Sequence, residues 1–87
     1  MIELSQGLCK AARGLLEWSI KDLSGHSGLS LDTLRSFESG RTKRLSAGNQ
    51  AKAIRAFETA GIEFIPENGG GAGVRTRCRS DLRPDVE

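Results

Sequence analysis

Apolar side chains recur along this chain at helical spacing, in four blocks separated by serine or glycine. The first block follows Ser5. Leu8, Ala12, Leu15 and Leu16 return about every 3.6 residues, while Lys10, Arg13 and Glu17 fall on the other side. This predicts an amphipathic helix with Ser5 as its N-cap and Leu4 packed back toward Cys9. Trp18, near its end, reads as an anchor at the edge of the core. Ser19 opens the second block, SIKDLSGHS. Asp22, three residues on, makes the pair a capping box with a short acid, and a carboxylate in the first turn complements the helix dipole. Leu23 is the apolar anchor of this helix. Gly28 stops it, because glycine takes the left-handed conformation at no steric cost.

Ser30 caps the third block, Leu31 to Ser39, which turns Leu34 and Phe37 inward and ends at Gly40. The fourth runs from Ser46 or Ala47 to Ala60, with Ala53, Ile54, Phe57 and Ala60 inward and Gly61 as its stop. Beyond Gly61 the period shortens. IEFI (62–65) is β-branched and partly alternating, and VRTR (74–77) is a second short run. Together they predict a hairpin joined by the turn-rich PENGGGAG (66–73). The last stretch, CRSDLRPDVE, has no period and is expected to fray. No internal repeat is visible.

Composition narrows the class. Of the 87 residues, 37% are hydrophobic and only 5% aromatic, so the core must be built mainly from leucine, isoleucine and alanine, which suits packed helices. The length fits one domain near the lower limit for a self-sufficient core, and dimerisation is one way such a chain gains stability. No apolar run approaches the roughly 20 residues of a membrane span. MIELSQGL lacks the basic-then-apolar order of a secretory signal. Cys9 and Cys78 match no metal-ligand spacing and read as one buried and one solvent-facing thiol rather than a disulfide. The expectation is a cytoplasmic protein, off the membrane, with no metal or cofactor. His26, the lone histidine, reads as a surface residue and has no nucleophile or acid at catalytic spacing, so an enzyme is not expected. The glycines of 69–73 are followed by neither Lys-Ser nor Lys-Thr nor a helix pattern, and read as a hairpin loop rather than a phosphate loop.

The net charge of +2 is unevenly spread. Residues 1–60 carry nine basic and six acidic side chains, residues 61–87 four and five. The densest basic point is RTKR, 41–44. It directly follows two short helices joined at Gly28, with the small Ser24 and Ser27 where such helices would cross. Leu23, Leu29, Leu34 and Phe37 would pin that pair to the first and fourth helices. Leu31, Asp32, Thr33, Arg35, Ser36 and Ser39 are then left on an exposed helix. This is the layout of a helix-turn-helix, whose second helix enters a DNA major groove.

On these residues the chain resembles the lambda-repressor-like, Cro-type regulators of the XRE family, over about residues 5–61. The carrying pieces are AARGLLEWS before the motif, KDLSGHSGLS through the turn, TLRSFESG in the recognition helix and AGIEF after the fourth helix. The resemblance implies a mainly α, four- to five-helix DNA-binding domain over 1–61, a short C-terminal β-hairpin over 62–77 and a tail over 78–87. It implies a sequence-specific transcriptional regulator, in the first instance a repressor, acting on double-stranded DNA. The strand edges of 62–77 suggest a homodimer paired through that segment.

The resemblance also implies roles. Leu31, Asp32, Thr33, Arg35 and Ser36 would face base edges. Arg35 reads as a guanine contact or a solvated arginine, and Leu31 as a thymine-methyl contact or surface packing. Asp32 accepts from a cytosine amine or orients Arg35. Thr33 and Ser36 serve as short donors to bases or backbone. Ser19, Lys21, Ser30, Ser39, Arg41, Lys43 and Arg44 would hold phosphates, with an ordinary solvated loop as the other reading of Arg41, Lys43 and Arg44. Ile20 stands where the family usually has a glutamine that reaches phosphate, so Ser19, Lys21 and the backbone amides of that helix start are expected to take its place. Ser24 replaces the family's usual alanine. Ile20, Asp32 and the weak net charge speak for a reading from another class, an antitoxin-like or adaptor module that presents the same fold to a protein.

Overall fold

A computed structural model describes residues 3–66 and 72–76. Over them the chain forms α1 (Gln6–Leu16), α2 (Ile20–Ser27), α3 (Leu31–Glu38), α4 (Ala47–Thr59), β1 (Ile62–Ile65) and β2 (Gly73–Thr76). The fold is mainly helical, with four helices and a two-stranded antiparallel hairpin among the described residues. Arg77, Cys78, most of the glycine-rich connector and the tail lie outside the described residues. Among the described residues no helix is long and apolar enough to cross a membrane.

Each of these four helices begins on a serine. The side-chain oxygens of Ser5, Ser19, Ser30 and Ser46 accept the N–H of Leu8, Asp22, Thr33 and Asn49. Each bond satisfies a helix-start donor that has no partner within the helix, a contribution of about 1 kcal/mol. At Ser19 the bond is returned, because its N–H donates to Asp22 Oδ2 at 2.9 Å. Gly28 closes α2 with φ +83° and turns the chain into Leu29. Ser24 Oγ donates to the Leu29 carbonyl at 2.6 Å, while Ser27 Oγ accepts the Leu29 N–H at 3.2 Å. The two small serines therefore fix the turn itself. α1 closes differently, on Glu17 at φ 58°. A side chain in that left-handed region costs roughly 1–2 kcal/mol.

The core follows from helical spacing. Ala53, Ala56 and Phe57 form the buried stripe of α4, and Leu34 and Phe37 that of α3. Phe37, Phe57, Leu4, Leu23, Leu34 and Ile62 are the largest fully buried side chains. The hairpin closes over this core. Phe64 is opposite Val74 in the register, both pack against the core, and β1 lies on α4 while β2 lies on α1. Trp18 packs at the edge of the core, with its ring 5.8 Å from that of Phe57.

Three sequence expectations change. Leu15 is 47% exposed rather than inward. The buried stripe of α1 runs through Cys9 and Ala12 toward Leu16, and one residue along a helix rotates the side chain by about 100°, which leaves Leu15 to one side. Ala60 is exposed because it is the C-cap of α4, where the helical face has already ended. Arg13 lies not on the polar side but half-buried, held by a carboxylate from α3.

Candidate nucleic-acid interface

α3 owes its orientation to both of its faces. Its inner face inserts Leu34 and Phe37 into the core, and one helical step on, Glu38 is buried as well. A buried carboxylate needs charge-assisted partners, since removal from water penalises the ion. Glu38 has them. Arg13 Nε donates to Glu38 Oε2 at 2.8 Å, Arg13 Nη2 donates to Oε1, and Cys9 Sγ donates to Oε2 at 3.0 Å. Arg13 Nη1 also reaches the Trp18 carbonyl at 2.8 Å. One guanidinium thus braces α1, the α1–α2 junction and the end of α3.

The electrostatics of this brace follow from its burial. Burial alone would raise the Glu38 carboxyl, but the bonds from Arg13 and Cys9 outweigh it and hold the group below the ordinary glutamate range. Burial first, then the neighbouring carboxylate, pushes the Cys9 thiol far up, so it stays protonated and donates. The sequence reading missed Glu38, although a signal existed. Leu34, Phe37 and Glu38 share inward spacing, and an acid at a core position demands a cation.

The outer face of α3 is more graded than the pattern implies. Asp32, Arg35 and Ser39 are exposed, but Leu31, Thr33 and Ser36 are half-buried, which corrects the expectation that all six stand clear of the fold. Asp32, Arg35, Ser36, Ser39 and Arg41 line one open cleft of about 390 Å³. The structure thereby brings together three of the five base-contact candidates and two of the seven phosphate candidates. Asp32 and Arg35 form no ion pair within 4 Å. The loop after α3 is anchored here by Thr42, whose N–H donates to the Ser36 carbonyl at 3.0 Å.

Several candidate hydroxyls and amides are already engaged. Ser30 Oγ accepts the Thr33 N–H at 3.1 Å and donates to Thr33 Oγ1 at 2.8 Å. Ser39 Oγ donates to the Ser36 carbonyl at 3.2 Å. The Ser19 N–H is taken by Asp22, so that amide does not stand open to a phosphate as expected. The Asp22 carboxyl is held below its ordinary range mainly by this backbone bond, so a negative charge already sits at the start of α2. Lys21 and Lys43 are exposed and lie outside the α3 cleft, and Arg44 is exposed beside Glu3 at 3.4 Å. His26 is exposed and stacks flat on Trp18, centroids 4.2 Å apart. No protein-family model and no curated protein matches this chain.

Proposed function

We propose that this chain is a sequence-specific DNA-binding regulator, a repressor by occupancy, that lays the outer face of α3 in a major groove. One observation carries the reading. A serine-capped short helix, fixed from behind by the core and by Glu38, presents Asp32, Arg35, Ser36 and Ser39 in one cleft together with Arg41. Arg35 is the residue for a base edge, since its planar fork matches the two acceptors of guanine, and Asp32 beside it suits a cytosine amine. Arg41, Lys43, Arg44 and Lys21 supply phosphate contacts, which add affinity and salt dependence without reading sequence. Two copies joined through residues 62–77 would place two such helices on one duplex, with half-sites about one helical turn apart.

Selection of bound duplexes from a random pool, followed by gel shift, tests this. Arg35→Ala loses or relaxes preference for the selected site, whereas Lys43→Ala weakens all sequences alike. Both variants binding as the parent does would overturn the roles, and a monomer by sedimentation at high concentration would overturn the pairing. Carboxylates in the first turns of both motif helices, Asp22 and Asp32, favour a second reading. In it the same fold is an antitoxin-like or adaptor module whose partner is a protein, and no duplex binds in a salt-dependent way.

A further inference from the structure

Away from α3, a groove of about 650 Å³ runs between the end of α2 and the outer face of α4. It shares no residue with the α3 cleft. Ala51, Ala56 and Ala60 give it a short apolar strip, and Lys52, Arg55 and His26 line it as well. None of the described residues lining it is acidic. Lys52 and Arg55 are exposed and enter no ion pair among the described residues. Lys52 and Arg55, one helical turn apart beside a row of alanines, place positive charge along this apolar strip, while the nearest carboxylate on the helix, Glu58, lines the adjoining cleft and not this groove.

We propose that this groove docks an acidic amphipathic helix of a partner protein. Two features select that occupant. Most of the lining is exposed, so it is not a cavity that would enclose a small molecule, while alanine-sized side chains let a second helix approach closely. A second copy of the chain fits poorly, because a two-fold contact here sets the Lys52 and Arg55 clusters of both copies against each other. Glutamates flanking apolar anchors on the incoming helix meet those cations, and the anchors cover Ala51, Ala56 and Ala60. The docking stands independently of DNA binding by α3.

The test is amide shift mapping on the full chain with two synthetic helical peptides, identical in their leucine face but flanked by glutamate in one and lysine in the other. The glutamate peptide is expected to shift the amides of Ser27, Ala51, Ala56 and Thr59, and the lysine peptide is not. Lys52→Glu with Arg55→Glu, both at exposed positions, weakens the glutamate peptide by about tenfold or more at low salt and admits the lysine peptide instead. Equal binding of the two peptides, shifts confined to α3, or no shifts at all overturns the proposal. So does movement of the same amides by a mixed-sequence DNA duplex, or by concentration of the chain alone.

Discussion

Replacing Glu38 with alanine removes the acceptor of three hydrogen bonds at once, two from Arg13 and one from Cys9. Breaking a buried ion pair by deleting one partner costs about 3–5 kcal/mol, because the remaining charge stays out of water. Two features place this site at the lower end. The Arg13 side chain is 19% exposed against 5% for Glu38, and it keeps its bond to the Trp18 carbonyl. The expected loss is therefore about 3 kcal/mol, which lowers Tm by roughly 12–24 °C in a domain of this size. Trp18, the sole tryptophan, reports urea unfolding from within the same network. The matching control is Arg13→Met with Glu38→Leu, which removes both charges together. It should recover about 2 kcal/mol of the summed single losses, with the Trp18 carbonyl and the Cys9 thiol left as the residual cost. A loss below about 1 kcal/mol for Glu38→Ala, or a double variant equal to the sum of the singles, would refute the account of a coupled buried pair.

Other outcomes follow from the same geometry. The Glu38 carboxyl titrates lower in the folded chain than in the unfolded one, so its stabilisation is full above the ordinary glutamate range and is lost as pH falls through the lowered value. Urea midpoints measured through that window should fall less steeply for Glu38→Gln than for the parent. Glu17→Gly relieves the left-handed C-cap of α1 and should raise stability by about 0.5–1 kcal/mol, net of the added freedom of the unfolded chain; calorimetry checks this. Ser30→Ala leaves the Thr33 N–H and Oγ1 without their partner and should cost about 1 kcal/mol, with hydrogen exchange rising first at the start of α3.

What was legible in the sequence is what acts over one helical turn. Ser5, Ser19, Ser30 and Ser46 each bond an amide three residues away, and Asp22 answers Ser19 within the same turn, so spacing alone locates all four helix starts. Gly28 and the hairpin strands follow from equally local conformational preference. The inward spacing of Glu38 was there to be read, but its pairing with Arg13 was not, because it spans 25 residues of chain and on α1 alone the arginine looks polar and solvent-facing. The α3 candidates were found as a group, but their availability was not. Whether a serine hydroxyl is open to a ligand depends on neighbours such as Thr33 and the Ser36 carbonyl that already hold it. Leu15 shows the same limit for packing, since periodicity gives a stripe but not the angle at which the hairpin and α3 meet it.

The brace of α1 against α3 also shapes how this chain can change by descent. Losing either Arg13 or Glu38 alone strands an ion, yet an apolar pair in both places is tolerable. Single-step substitution at either position therefore crosses a fitness valley, and the two codons are tied to one another although 25 residues apart. Divergent copies of this chain should exchange the two positions in concert or not at all.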